Sequence, residues 1–589
     1  MMSMRHWSVL VSVSCCLLAA LTPAFASGAT ERLSVSSAEA EGNDCSAACS
    51  ISADGSYVAF CSDAGNLVEG DSGLARDVFV RDRLTGDTER VSVSPAGAEG
   101  NDVSQNPSIS ADGRYVAFAS RATNLVEGDT NGVWDVFVRD RELAVTERVS
   151  VSSTGAEGDA DSYNQSISAD GRYVAFESWA TDLVEGDTNG WSDVFVHDRV
   201  TGETERISVN SSEEQTNIGD STSPSISADG SSVAFVAIAS NLVPGDANGT
   251  WDIFVRDRDS GTTERVSVSS AEVEADWTSY GPSISWDARY VAFYSDATNL
   301  VAGVNNGEWH IFVRDRLAGT TQCASVSPTG VQGNGSSLAP SISADGRHVA
   351  FHSGATNLVL GDTNGMRDVF VRDRLTGTTR RVSVSSAGVQ GDLDSASPSI
   401  AADSGCVAFV ACATNLVPDD TNGWADVFVR SWEQVPVPEV LLEVHPNERA
   451  PGAGTNQYLG KVPWTQPTSS PAGSYWWKKY EFAAHGPLWI QLCAQNWDKT
   501  QKGYGDHDDT QLQFPLLGPL IPVDYDGIQS GAAGTWQWAG GMESGKRVTL
   551  RFLVPCTPGK QVLWIGADES PVLWWLKVID LEPGVIEAF

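Results

Sequence analysis

One eleven-residue run, Ser-Ile-Ser-Ala-Asp-Gly-Arg-Tyr-Val-Ala-Phe, returns with small changes along most of the chain and governs what it can fold into. Its final phenylalanine falls at Phe60, Phe118, Phe176, Phe235, Phe293, Phe351 and Phe409, at intervals of 58 or 59 residues. A second anchor, the Phe of Asp-Val-Phe-Val-Arg, keeps the same step at Phe79, Phe137, Phe195, Phe254, Phe312, Phe370 and Phe428. Seven copies at a fixed period mark units that cannot bury their apolar faces alone, so neighbours must stack. Each copy holds four short runs of alternating character, as strands require. In copy two these are 107–110, 115–120, 135–139 and 147–152. The first two are joined by Ala111-Asp112-Gly113-Arg114, whose Asp and Gly suit a tight hairpin. Four antiparallel strands repeated seven times predict an all-β, seven-bladed β-propeller.

The two ends of the repeat complement each other. The seventh copy stops after its third strand, 426–430, and runs into a linker at 432–438 that contains two prolines. A fourth strand is available instead near the N-terminus, at 31–36, where Glu31-Arg32-Leu33-Ser34-Val35-Ser36 matches the Thr-Glu-Arg-Val-Ser-Val-Ser run of the other copies. Strand 31–36 is therefore expected to complete blade seven and remove an open sheet edge. The expected domains are a propeller over 27–431 and a second domain over 439–589.

The repeats resemble TolB-type, WD40-like (PD40) propeller repeats, which carry a Pro-x-x-Ser-x-Asp-Gly-x-x-aliphatic-Ala-Phe run. Pro107-Ser108-Ile109-Ser110-Ala111-Asp112-Gly113-Arg114-Tyr115-Val116-Ala117-Phe118 carries the likeness. Copy five departs at Trp286-Asp287-Ala288, and copy seven has Ser404 where the Gly stands. The resemblance implies the propeller fold. Such propellers host scaffolds, peptidases and polysaccharide lyases, so it leaves the activity open.

Composition narrows the partners. With a net charge of −38 and a pI of 4.4, the surface repels phosphate backbones and anionic headgroups, so neither nucleic acid nor a membrane surface is expected. Residues 1–26 read as a signal peptide: Arg5, an apolar stretch from Val9 to Leu21, then Ala24-Phe25-Ala26 as the cleavage site. That stretch is too short to span a bilayer. A secreted monomer, extracellular or periplasmic and with no membrane insertion, is expected. Cys45, Cys49, Cys61, Cys323, Cys406, Cys412, Cys493 and Cys556 then allow structural disulfides, with a free buried thiol among them.

Loop length separates the two rims of the ring. Both tight turns of a blade lie on one rim and both long connections on the other, and function is expected on the long loops. One of these loops repeats Gly-Asp-Thr-Asn-Gly-x-x-Asp. It supplies Asp129, Asn131 and Asp135 in copy two, and Asp187, Asn189 and Asp193 in copy three. Copies four, six and seven give Asp246, Asn248 and Asp252; Asp362, Asn364 and Asp368; and Asp420, Asn422 and Asp426. Oxygens at these spacings around a Gly suit a hard cation, and calcium is the cofactor they suggest. No bidentate Glu follows, and copy five has Val304 and His310 in place of the aspartates. The competing reading is that Asp and Asn cap the turn and fix strand entry.

Aromatics break the repeat. Trp134, Trp191, Trp251, Trp309 and Trp424 end this loop, with Trp179, Trp277, Tyr280 and Trp286 near it. Exposed rings among acids and amides suit sugar faces and hydroxyls, whereas buried ones pack between blades. No catalytic residue is assigned. His197, His310, His348 and His352 are scattered, and no Gly-x-Ser-x-Gly elbow occurs.

Beyond the linker the repeat is absent, and residues 437–589 hold ten of the 20 tryptophans. Alternating runs separated by turns predict a β-sandwich. Asp506-His507-Asp508-Asp509, Gly534-Thr535-Trp536-Gln537-Trp538 and Ala567-Asp568-Glu569-Ser570-Pro571 give this half a resemblance to jelly-roll carbohydrate-binding modules, which implies Trp536 and Trp538 as ligand contacts. Cys493 and Cys556 are placed to form a staple. The expected function is non-catalytic recognition of a glycan or a surface protein. The alternatives are a polysaccharide-degrading lyase or glycosidase with its site in the propeller funnel, and a calcium-stabilised protein-interaction module.

Overall fold

The computed structural model describes residues 28–432 throughout and, beyond them, the backbone of strands between 440 and 580. The chain divides into two compact units, 1–433 and 434–589. The signal-peptide segment 1–26, residues 433–438 of the linker, residues 506–508 and Cys556 lie outside the described residues. No helix among the described residues is long and apolar enough to cross a membrane.

The first unit is a seven-bladed β-propeller of seven antiparallel four-stranded sheets. Blade two shows the pattern: Ser104–Ile109, Tyr115–Ser120, Asp135–Asp140 and Val145–Arg148 follow one another across the sheet. The first strand starts three residues before the position expected from its Pro-Ser-Ile-Ser run. The displaced stretch is a β-bulge, with Asn106 at φ 54° between the Gln105 and Ser108 pairings. The fourth strand ends at Arg148, short of the expected Ser152, because the chain turns there toward the next blade.

Cores lie between blades. Val136, Val138 and Val149 of blade two pack with Val174, Phe176 and Phe195 of blade three. Within each blade the two anchor phenylalanines face each other, as Phe118 and Phe137 do at 5.9 Å between centroids. Both are fully buried, and burial of such a side chain contributes about 1.5–3 kcal/mol.

Two chains of hydrogen bonds close the ring. In each first strand a Ser hydroxyl oxygen accepts the Ile N–H of the next, from Ile109 donating to Ser50 at 3.2 Å round to Ile51 donating to Ser399 at 3.3 Å. On the tight-turn rim the backbone does the same: Ala53 donates to the Ala111 carbonyl, Ala111 to Ala169, Ala169 to Ala228, and so on to the Ala402 carbonyl, whose neighbour Asp403 donates to Ala53 at 3.2 Å. Thr30–Arg32 pairs with blade seven through Thr30–Arg430, Glu31–Val429 and Arg32–Phe428, a shorter strand than the 31–36 run.

The tight turn is built against the preceding blade. Gly171 adopts φ 73°, and a β-carbon there would overlap the Tyr115 ring of blade two. Blade five carries Ala288 at this position with φ 56°, and the preceding blade has Ser232 where blades one, two, three and five have Tyr. Blade seven carries Ser404, preceded by His348. The residue facing the turn shrinks or changes wherever the glycine is lost.

The six cysteines of the propeller are free thiols, which corrects the expectation of disulfides there. Cys61 faces the Ala47 carbonyl at 3.3 Å and Cys49 the Ser397 carbonyl at 3.5 Å. Burial pushes the Cys49 and Cys406 thiols up to about 12, so they behave as small apolar groups.

The second unit holds two antiparallel five-stranded sheets. One runs Val440–Val444, Val572–Asp580, Leu488–Gln495, Arg547–Val554, Ile521–Asp524. The other runs Trp476–Ala484, Gly559–Ala567, Asp509–Gln513, Thr535–Ala539, Ile528–Ser530. Trp536 and Trp538 both lie on Thr535–Ala539.

Gly171→Ala is expected to cost about 2 kcal/mol or more in urea unfolding, from the left-handed backbone and the overlap with Tyr115. Adding Tyr115→Ser, the blade-four residue, should recover part of that loss. A double mutant no better than the sum of its singles would contradict the pairing.

Candidate functional site

The repeated Asp/Asn loop folds onto the start of the third strand and the end of the fourth. In blade two the last Asp, Asp135, accepts the Ser150 hydroxyl at 2.6 Å and the Asn131 side-chain amide at 3.0 Å. Asn131 also donates to the Gly158 carbonyl at 3.0 Å and accepts the Val133 N–H at 3.2 Å. The capping roles expected of Asn and Asp are thus present.

The same oxygens surround a cation belonging to the chain. Arg148, from the Thr-Glu-Arg run, places Nη1 3.4 Å from Asp129, 3.2 Å from Asp135 and 2.8 Å from Glu157. Arg90 stands 3.4, 3.2 and 3.2 Å from Asp71, Asp77 and Glu99. Arg265 repeats the arrangement with Asp246, Asp252 and Glu274, and Arg32 with Glu41, Asp420 and Asp426. In blade three Arg206 meets Asp187 and Asp193, with Gln215 as the third partner at 3.0 Å. Arg381 meets Asp362 at 3.3 Å and Asp368 at 3.1 Å. The arginine and the Glu or Gln went unassigned from sequence. The signal was present, since Arg148 follows Asp135 by 13 residues and copies one, three, four and six keep the spacing.

Blade five is the exception that explains the rest. Val304 and His310 replace both aspartates, and Cys323 replaces the arginine. His310 takes over the hydrogen bonds of the last Asp, with Nδ1 3.0 Å from Ser325 Oγ and Nε2 2.8 Å from Asn306 Oδ1. Burial holds it below its usual 6.5, in the neutral form. Acids and base disappear together, as partners in a buried ion cluster must.

These cages tune their own acids. Burial, and then the neighbouring carboxylates, push Asp129, Asp246 and Asp420 up to about 6, and burial does the same to Asp77. Glu157 is lowered instead, first by the Thr130 hydroxyl, and so keeps the charge that faces Arg148.

The tryptophans occupy two different positions. Trp191 and Trp424 stand two residues before the last Asp, each N–H bonded to the loop Asn, and are 42 % and 49 % exposed. Trp134, Trp251 and Trp309 stand one residue before it and are half-buried, each carbonyl accepting the first Ser N–H of the next blade at 2.7–2.8 Å. Trp179 and Trp277 are exposed on the long-loop rim, with Trp179 donating to the Tyr163 hydroxyl at 3.2 Å. Trp286 lies on the opposite, tight-turn rim, because its backbone belongs to the closing hydrogen-bond ring.

One group of rings comes together. Tyr280 has its centroid 5.8 Å from Trp251, 6.0 Å from Tyr294 and 6.1 Å from Trp309, and Trp309 meets Tyr294 edge-on at 5.4 Å. The four form a half-buried platform across blades four and five. The bulge residue beneath is Gly281, at φ 57°, where a β-carbon would meet the Tyr294 ring. Tyr294 carried no sequence signal, since its position is Ala, Val, Glu, His or Cys in other copies.

The four histidines of the propeller do not converge. His197 bonds Thr204 at 2.9 Å, His348 faces Asp373 at 3.5 Å, and His352 accepts the Ser397 N–H at 3.4 Å. His348 and His352 sit at opposite ends of one strand, His348–Ser353.

No protein-family model matches the chain, and no curated protein matches it. Among solved structures it is similar to TolB from Acinetobacter baumannii, at 16% identity over 47% of this chain and 53% of that one, with a TM-score of 0.29. The chain therefore spans about half the length of that protein. It is also similar to an oligogalacturonate lyase in complex with manganese, at 13% identity over 66% and 89% with a TM-score of 0.41. A third similarity is to the GH74 xyloglucanase from Xanthomonas campestris, at 10% identity over 72% and 58% with a TM-score of 0.35.

Two outcomes are expected. Arg148→Cys should cost about 3 kcal/mol by leaving buried carboxylates uncompensated, and adding Asp129→Val and Asp135→His, the blade-five set, should restore most of it. For the pH profile, an acid raised on folding destabilises the fold above its folded pKa, and that penalty fades as pH falls toward 3.8. Asp198, lowered first by Arg172, stabilises above 3.8 and loses that contribution below it. The melting temperature should therefore rise from neutral pH to about pH 5 and fall below about pH 3.5.

Proposed function

We propose that this chain is a secreted, non-catalytic recognition protein that binds a glycan or another extracellular ligand on the long-loop rim of its propeller. The observation that carries this reading is the Trp251, Tyr280, Tyr294 and Trp309 platform, which breaks the repeat at one place on that rim. Rings shared by two rigid blades are held at fixed tilt, and a flat half-exposed ring face suits the apolar face of a sugar. Trp277, beside Tyr280 in sequence, is assigned to the same surface, Trp191 and Trp424 to separate contacts on blades three and seven of that rim, and Trp134, half-buried and with no aromatic partner among the described rings, to packing. The two sheets of residues 440–580 are proposed to pack as a sandwich, with Trp536 and Trp538 as a second contact surface.

Calcium does not fit the Asp/Asn cages as they stand, because a guanidinium already sits among the oxygens a metal would need. The cages are proposed to be ion clusters that stiffen the rim beneath the aromatics. Melting with and without a chelator tests this: an unchanged temperature is expected, and a fall of several degrees would restore the calcium-stabilised reading. No observation favours a lyase or glycosidase site, since the histidines of the propeller lie apart.

The mature protein should be retained on at least one immobilised polysaccharide without shortening it. Trp309→Ala should weaken retention about tenfold while Trp134→Ala leaves it within about twofold. Equal losses would remove the platform from the reading, and chain shortening would replace recognition by catalysis.

A further inference from the structure

The platform's electrostatic setting narrows the ligand, if the recognition reading above holds. The basic residues of blades four and five are all arginines: Arg256, Arg258, Arg265, Arg289, Arg314 and Arg316. Each is already in an ion pair, with Glu213, Glu205, the Asp246 cage, Asp315, Glu272 and Glu264 respectively. No lysine occurs in the sequence before Lys461. Beside the platform, His310 is buried and held neutral. Acids border the rings instead: Glu308 directly precedes Trp309, Asp296 lies two residues beyond Tyr294, and Asp276 directly precedes the exposed Trp277. Glu308 is anchored by the Ser336 hydroxyl of the next blade at 2.7 Å, which fixes its charge at the platform's edge.

A ligand lying on these rings therefore meets fixed negative charge and no spare cation. A uronate or sulfate ester would lose its hydration and gain no partner, a cost that like charges increase. Hydroxyl groups meet carboxylate acceptors and lose nothing. The rings also pack in contact with one another, at 5.4–6.1 Å, and so offer a wall and not an enclosure that could surround an ammonium group. We infer that the site selects uncharged saccharide chains and rejects anionic ones.

The test measures affinity of the whole mature protein for two sets of soluble polysaccharides. The uncharged set is xyloglucan, laminarin and amylose; the anionic set is polygalacturonate and alginate; chitosan serves as a cationic arm. At low salt at least one uncharged chain should bind at least tenfold tighter than either anionic chain, and added salt should narrow the gap by screening. Glu308→Lys, which introduces a free cation, should raise polygalacturonate binding, while Trp309→Phe should retain more of the uncharged binding than Trp309→Ala. Polygalacturonate or alginate bound as tightly as the uncharged chains, or chitosan bound more tightly, would overturn this inference and leave recognition standing. Retention of no chain in any set would remove the recognition reading itself.

Discussion

Seven backbone hydrogen bonds, linking each tight turn to the next from Ala53 round to Asp403 and back, hold the propeller as a closed figure. Closure is what makes the other interactions possible. A four-stranded sheet of this kind has two open edges and two apolar faces, and it is stable only when neighbours cover both faces. Once the ring is shut, every blade has such neighbours, the phenylalanine pairs lie in continuous core, and the long loops are fixed at one rim. The positions of Trp251 on one blade and Trp309 on the next are thus set by backbone geometry, to which their carbonyls contribute and their rings do not.

Because the chain repeats itself seven times, its irregular copies act as internal substitutions. Ala288 replaces a left-handed glycine where Ser232 replaces the tyrosine that would overlap it. Val304, His310 and Cys323 replace two acids and a base together. Each replacement identifies a physical partnership that the regular copies conceal. By the same logic Tyr280, Tyr294 and Gly281 belong together, since the ring of Tyr294 occupies the space a β-carbon at position 281 would need.

The repeat, the four strands and the seven blades were legible because strand alternation and turn chemistry are local. The start of each first strand was not, because a bulge such as that at Asn106 hides the pairing of the residues before it. The Asp/Asn pattern was legible as a set of oxygens, but its cation comes from the fourth strand, across a turn that the loop sequence does not describe. The five loop tryptophans looked equivalent in sequence. One residue of offset separates those that strand pairing draws into the interblade groove from those left in solvent. The free thiols were missed because Cys count and export argue for pairing, while blade geometry keeps the sulfurs against backbone carbonyls.

The strand that completes blade seven also imposes an order of events. Thr30–Arg32 is among the first segments of the propeller to be synthesised, and its partner, ending at Ser431, is the last. Arg430 reaches the Thr30 hydroxyl across 400 residues of sequence. Six blades can assemble as the chain emerges, but the seventh waits until both ends are present. Until then the sheet edges on either side of the gap stay unpaired, and loop closure over so long a span is slow. The seam between blades seven and one is therefore the last part of the ring to form and the place where a second, unfinished copy could intrude.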